Sequence, residues 1–162
     1  MQLSTRGRYA VMAMVHIAGC CPGGGECRAV PLCEIAAAQA LSLAYLEQLF
    51  APLRRAGLVT AARGPGGGYR LARPATEITI GAILVAADEK LRATRCVDGV
   101  GCLQHPGCDA GPCQTHDLWA ELDRQIELFC AGVTLADVVA GRVEGRAAAP
   151  AALEPGEPAL AP

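Results

Sequence analysis

The chain has 162 residues, 52% of them apolar but only 4% aromatic, so it can bury one aliphatic core and at most a small appendage. Its nine cysteines are an odd number, which argues against a secreted disulfide framework. The formal net charge of −2 hides an asymmetry: residues 1–80 carry eight Arg and four acidic side chains (+4), residues 81–162 six basic and twelve acidic ones (−6). A basic half suits phosphate contacts, and an acidic half would be held away from DNA.

From the N-terminus, Leu3 to Gly19 reads as a helix. "IAGC" (Ile17–Cys20) imitates a lipoprotein cleavage box, but the apolar run before it is short and contains His16, as a buried amphipathic helix would. Nothing else in the chain is long enough to span a membrane. The expected location is the cytoplasm, where thiols stay reduced and clustered cysteines hold a metal more readily than each other. "CCPGGGEC" (Cys20–Cys27) is a Gly/Pro loop. With Cys33 it forms a group, Cys20, Cys21, Cys27 and Cys33, read as incidental or small packing residues.

Pro31–Gln39 begins on a proline and continues in strong helix formers. After a break at Ala40–Leu41, Ser42 is a good N-cap for a second helix from Leu43 to about Ala56, which Gly57 stops. Helix, tight turn, helix at this spacing is a helix-turn-helix over residues 32–56. In the second helix Leu46, Leu49, Phe50 and Leu53 recur at i, i+3, i+4, i+7 and form the core stripe. Glu47, Gln48, Arg54 and Arg55 fall off it, with Tyr45 near the N-terminal end that meets base edges in a major groove. Gln48 suits adenine, Glu47 suits cytosine N4, and Ser42 and Tyr45 suit phosphates. An ordinary solvated helix face is the plain alternative, and the next segment weighs against it.

That segment, Leu58 to Pro74, places two short strands, "LVTAA" and "YRLA", around "RGPGGG". A phosphate-cradling loop would need G-K-[ST] and a following helix, and both are missing. A hairpin after a helix-turn-helix is a wing, and Arg63 at the neck of its slim tip is placed to enter a minor groove. The expected fold is mainly α with a small β-hairpin wing: a winged helix-turn-helix over residues 1–80, with the wing at 58–74.

Residues 81–146 read as a ligand loop and a long C-terminal helix. The loop "CVDGVGCLQHPGCDAGPCQTH" spaces its ligands as Cys96-x5-Cys102-x5-Cys108-x4-Cys113-x2-His116. Structural zinc sites favour close pairs, and only one is present; wide spacings in a Gly-rich loop can wrap an iron–sulfur cluster. Zinc and a plain thiol-redox loop stay open on spacing alone. In the helix "HDLWAELDRQIELFCAG", Leu118, Leu122, Ile126 and Phe129 form a stripe that needs a partner: a second subunit, or the domain's own first helix. Cys130 reads as a small packing residue. Residues 147–162 are Pro/Ala-rich without periodicity and read as a disordered tail.

The strings "LSTRGRYAVMAM", "LSLAYLEQLFAPLRRAGLV", "RGPGGGYRLAR" and "ATRC…C…CQTHDLW" resemble the iron–sulfur cluster regulators of the IscR type, over about Met1 to Arg142. The resemblance implies a homodimeric transcription regulator, not an enzyme, that represses or activates iron–sulfur cluster assembly genes and receives its cluster from donor proteins. It implies a [2Fe–2S] cluster on Cys96, Cys102, Cys113 and His116, and a part for Glu47 in a cluster-dependent change of DNA preference. Two departures matter. The interval from Cys102 to Cys113 is longer than in the enterobacterial pattern, which leaves Cys108 as an alternative ligand and His105 as a weaker one. Ala44 stands where close relatives carry a polar residue. A related nitric-oxide- or iron-responsive regulator with a [4Fe–4S] cluster, and a redox enzyme or electron carrier, are the other readings. No paired acid/base residues support an enzyme.

Overall fold

The computed structural model describes residues 4–21, 28–89, 91 and 115–143. Ser4 starts the first helix, α1 (Thr5–Gly19), by accepting from the Gly7 amide at 3.2 Å. Glu89 accepts the Ser4 amide at 2.8 Å and also its hydroxyl, fastening the start of the first helix to the segment that follows the fourth. Ala10, Ala13, Met14, Ile17 and Ala18 are buried along one face of α1, the spacing of a core stripe.

Helix α2 (Leu32–Gln39) has Pro31 as its N-cap, so the proline stands just outside the helix and not at its first turn. Ala40 turns the chain with φ 52, a left-handed conformation that costs a residue with a Cβ about 1–2 kcal/mol. Helix α3 (Leu43–Arg55) follows, and the Ser42 side chain caps the Tyr45 amide at 3.2 Å. Leu46, Leu49, Phe50 and Leu53 are all buried, as the stripe requires. Each contributes about 1.5–3 kcal/mol by leaving water. That burial holds α3 together across Pro52, which removes one ladder hydrogen bond inside the last turn.

Strands β1 (Val59–Ala62) and β2 (Gly68–Leu71) pair antiparallel, with Val59 opposite Leu71 and Ala62 opposite Gly68. The hairpin does not hang free. Tyr69 and Val30 exchange two backbone hydrogen bonds, at 2.8 and 2.9 Å, which tie β2 to the residue before the Pro31 cap of α2. The Tyr69 ring then packs on Phe50 of α3, with centroids 4.6 Å apart.

Three further helices follow: α4 (Ile80–Ala86), α5 (His116–Gly132) and α6 (Leu135–Val139). α4 and α6 are additions to the sequence reading. Each opens on a threonine whose side chain caps it, Thr79 on the Ala82 amide and Thr134 on the Asp137 amide. The chain returns to its start here. Ile80 N–H donates to Val133 O at 2.9 Å and Leu135 N–H to Ile78 O at 2.8 Å. One buried cluster joins Ile17, Ile35, Phe50, Ile78, Ile83 and Leu135, so residues on both sides of position 80 share a core.

The clamp between wing and α2 leaves no room for a side chain at Gly68. A Cβ there would lie 2.4 Å from both the carbonyl carbon and oxygen of Val30. Gly68→Ala is expected to destabilise the protein by about 1–3 kcal/mol, the usual range for overpacking. Gly19→Ala, where a Cβ would meet nothing within 4 Å, should be neutral or stabilise by less than about 1 kcal/mol. Denaturant unfolding of the two variants beside wild type measures both; equal stability of the two would show that the strand and α2 do not approach this closely.

Candidate nucleic-acid interface and metal-ligating residues

The outer face of α3 follows from its inner one. With Leu46, Leu49, Phe50 and Leu53 turned into the core, Ser42, Leu43, Ala44, Glu47 and Gln48 are left exposed at the N-terminal half of the helix. Leu43 is 46% exposed, and sequence reasoning had passed over it. Its exposure at a helix start was not signalled by any charge or spacing. Tyr45 is half-buried and edge-on to Tyr9 of α1, with centroids 6.1 Å apart; Arg8 stacks over the same Tyr9 ring at 5.5 Å. Tyr45 is thereby held in place, with Arg8 beside it. The Ser42 hydroxyl oxygen accepts from the Tyr45 amide, and its proton remains to donate outward.

Arg63 is exposed between β1 and the tip, where Gly64 and Gly66 adopt φ of 95 and 75. These left-handed values favour glycine and keep the tip slim. The charge around these elements is lopsided in a telling way. Arg6, Arg8, Arg54, Arg55, Arg63, Arg70 and Arg73 are all exposed, and none enters an ion pair among the described residues. By contrast, Arg124 pairs with Glu121 at 2.7 Å and Arg142 approaches Asp137 at 3.7 Å. The hydrogen bonds from Arg124, and then that from Gln125, hold the Glu121 carboxyl down to about 2. Among the described residues the two arginines of the acidic half are thus answered within the chain, whereas on the winged-helix half only Arg28 is, by Glu34 at 2.6 Å, and the other seven are open to an external anion.

Of the expected metal ligands, only His116 lies within the described residues; Cys96, Cys102, Cys108 and Cys113, with His105, lie outside them. His116 is the first residue of α5 and half-buried. The first-turn amides of a helix have no partner one turn back and carry the positive end of its dipole, a favourable setting for an anionic group. A second set of ligand-type side chains was not foreseen. His16, Cys20 and Glu34 gather their donor atoms within 4.8 Å of one another, from the end of α1 and the start of α2. Arg28 makes a two-pronged bond to Glu34 at 2.6 and 2.8 Å and reaches the Cys20 sulfur at 3.5 Å. The hydrogen bond from Arg28 is the main reason that the Glu34 carboxyl is lowered to about 2. Cys20 and Cys33 are free thiols. Cys130 is buried as expected, and burial pushes its thiol upward.

α5 presents Leu118, Leu122 and Phe129 to solvent, with exposures of 61%, 38% and 41%, and Ile126 half-buried between them. The stripe seen in the sequence is therefore not consumed by α1. No helix among the described residues is long and apolar enough to cross a membrane.

The chain is similar over most of its length to known proteins. The chain is 46% identical over 145 residues to a helix-turn-helix-type transcriptional regulator of Neisseria meningitidis, covering 90% of this chain and 92% of that one. It is 47% identical over 139 residues to the transcriptional regulator IscR of Serratia proteamaculans, covering 86% and 79% of the two chains. Among solved structures it is similar to IscR of T. potens, with a TM-score of 0.65, 35% identity, and 87% and 88% of the chains covered. It is also similar to CymR, the global cysteine regulator of B. subtilis, with a TM-score of 0.69, 28% identity, and 87% and 98% covered. A family model described as Rrf2, iron-dependent transcriptional regulator, matches residues 3–141. The chain belongs to the Rrf2 family of winged-helix transcriptional regulators, within which it is of the IscR type.

Proposed function

We propose that the protein is a homodimeric regulator that binds double-stranded DNA operators, carries a [2Fe–2S] cluster in each subunit, and controls iron–sulfur cluster assembly genes according to cluster supply. The observation that carries the DNA part is the set of seven exposed arginines on the winged-helix half with no carboxylate partner among the described residues. Free cations clustered around a slim wing and a capped helix are what a phosphate backbone requires. In this reading α3 enters the major groove. Glu47 and Gln48 meet base edges, Leu43 offers apolar surface to a thymine methyl, and Ser42 and Tyr45 touch phosphates. Arg63 follows the wing into the adjacent minor groove. Such a regulator would act in the cytoplasm.

The cluster part rests on the donor set. Cys96, Cys102 and Cys113 would supply three thiolates and His116 an imidazole, with Cys108 as the alternative third thiolate. This soft, anionic set suits iron and sulfide, and His116 would bring it to the positive end of α5. When bound, the cluster supplies a one-electron, oxidant-labile centre that assembly proteins can load. An imidazole ligand lowers the negative charge of the site and takes up a proton when displaced, so occupancy should respond to supply more readily than with four thiolates. The stripe of α5, exposed at Leu118, Leu122 and Phe129, suits a second copy of the same helix. A related regulator answering nitric oxide or iron through a [4Fe–4S] cluster is the second reading, favoured by the extra thiol at Cys108.

Protein isolated without oxygen is expected to be coloured, with iron and sulfide in near-equal amounts. Replacing Cys96, Cys102 or Cys113 by Ala should remove the colour, and Mössbauer spectra distinguish two-iron from four-iron clusters. Colourless protein with stoichiometric zinc would overturn the cofactor; bleaching by Cys108→Ala but not Cys113→Ala would move the third ligand to Cys108.

The two parts of the DNA-reading face should fail differently. Arg63→Ala should weaken binding to all specific operators and flatten its salt dependence. Glu47 repels phosphate and can gain only from a base edge, so Glu47→Ala should change discrimination more than affinity. It should let cluster-free protein bind sequences that otherwise require the cluster, with a change of about 1–3 kcal/mol at the cytosine it reads. Titrations with and without cluster, on two operators differing at that cytosine, measure this; equal losses on both operators would make Glu47 a helix-surface residue only. For the subunit contact, Leu122→Asp with Phe129→Asp should give monomers in sedimentation equilibrium, and an unchanged dimer would place the interface elsewhere.

A further inference from the structure

The His16, Cys20 and Glu34 cluster has no part in the DNA-reading face or in the loop of residues 96–116. His16 and Cys20 are four residues apart at the end of α1, so both project from one side of the helix. Glu34 comes to meet them from the first turn of α2. The spacing of the donor atoms is informative. Two ligands of a tetrahedral zinc ion, at about 2.0–2.3 Å from the metal, stand roughly 3.4–3.6 Å from each other. The His16 Nε2 to Glu34 Oε1 distance is 3.4 Å and the Cys20 Sγ to Glu34 Oε1 distance is 4.0 Å. The third pair, His16 Nε2 and Cys20 Sγ, lies within 4.8 Å, so side-chain movement of about an ångström or less would close the set. Imidazole, thiolate and carboxylate together are the ligand mixture of a borderline-soft divalent ion.

A cation already occupies the neighbourhood. The Arg28 guanidinium reaches two of the three candidate ligands, Glu34 at 2.6 and 2.8 Å and Cys20 at 3.5 Å. Side-chain exposures of 54% for Arg28, 37% for Glu34 and 25% for His16 leave a path in from solvent and a path out for the guanidinium. We propose that His16, Cys20 and Glu34 form a second metal site, separate from the loop of residues 96–116, that takes a divalent cation of the zinc class when Arg28 swings aside. Binding would release the Cys20 thiol proton, and the resulting thiolate and carboxylate would balance the two charges of the ion, with neutral His16 as third ligand. Three protein ligands leave the fourth tetrahedral position to water. Because His16 belongs to α1, Cys20 is the C-cap of that helix and Glu34 belongs to α2, the ion would staple the first helix of the helix-turn-helix to the domain core. Arg28 acts as its competitor.

The test is equilibrium dialysis of the full, cluster-loaded chain against buffered free Zn2+, with zinc counted per chain. Cys20→Ser and Glu34→Gln should each weaken one zinc site by at least about tenfold, since even groups that only support a ligand are worth that much. Arg28→Ala should tighten the same site severalfold, because a competing cation has been removed. A gain in affinity at an unchanged zinc count per chain is not what loss of the fold would give, since exposed thiols would raise the count, so this variant guards against a structural explanation of the other two. Zinc binding by Cys20→Ser identical to wild type would overturn the proposal, as would weaker binding by Arg28→Ala.

Discussion

The two hydrogen bonds between Val30 and Tyr69 fix the geometry of everything the protein would present to DNA. They join the wing to the residue ahead of α2, so the hairpin and the helix-turn-helix cannot rotate independently. The contact is close because Gly68 allows it: a Cβ would collide with the Val30 backbone. Phe50 then presses on the Tyr69 ring from α3, which links the clamp to the core stripe of the helix beneath the DNA-reading face. Arg63 and Glu47 are therefore carried on elements with one common reference point. A minor-groove and a major-groove contact separated by a fixed distance need that rigidity, since a loosely hinged wing would lose in entropy what its arginine gains from the groove.

A second constraint closes the chain on itself. The backbone bonds of Ile80 to Val133 and of Leu135 to Ile78 bring the end of α5 back beside the start of α4. α5 thus leaves the domain from a firmly held base, near the buried Leu135 and Cys130, and carries His116 at its far end, about 25 Å away for a helix of its 17 residues. Its apolar stripe lies along the length between. Any change at the His116 end and any pairing of the stripe would act on the same rigid rod. The charge partition follows the same division: among the described residues Arg124 and Arg142 are answered by Glu121 and Asp137, whereas of the winged-helix arginines only Arg28 has a carboxylate partner, Glu34.

Much of this was legible in the residues. The stripe Leu46, Leu49, Phe50, Leu53 and the Ser42 cap announced α3, and the glycines of the wing tip announced a turn that needs positive φ. α5 has the bounds expected of it. The short helices α4 and α6, of 7 and 5 residues, were not foreseen, since a periodic pattern needs two turns to stand out. Their threonine caps, and the capping box of Thr134 with Asp137, were the signals available. The His16, Cys20 and Glu34 cluster was beyond sequence reading for a different reason. Glu34 lies 18 residues from His16, and only the packing of α2 on α1 brings them together. Cys20 looked incidental because Glu34, 14 residues away, comes to it only through the packing of α2 on α1.

The central claim is that α3 and the wing read one continuous stretch of DNA as a rigid unit, in two copies. Hydroxyl-radical footprinting of the cluster-loaded protein on its operator tests it most directly. The account predicts two protected segments on one face of the duplex, about one helical turn or a multiple apart. Each should consist of backbone protection flanking a major groove together with protection across the adjoining minor groove. Protection confined to the major groove, with the adjoining minor groove fully cleaved, would contradict the account.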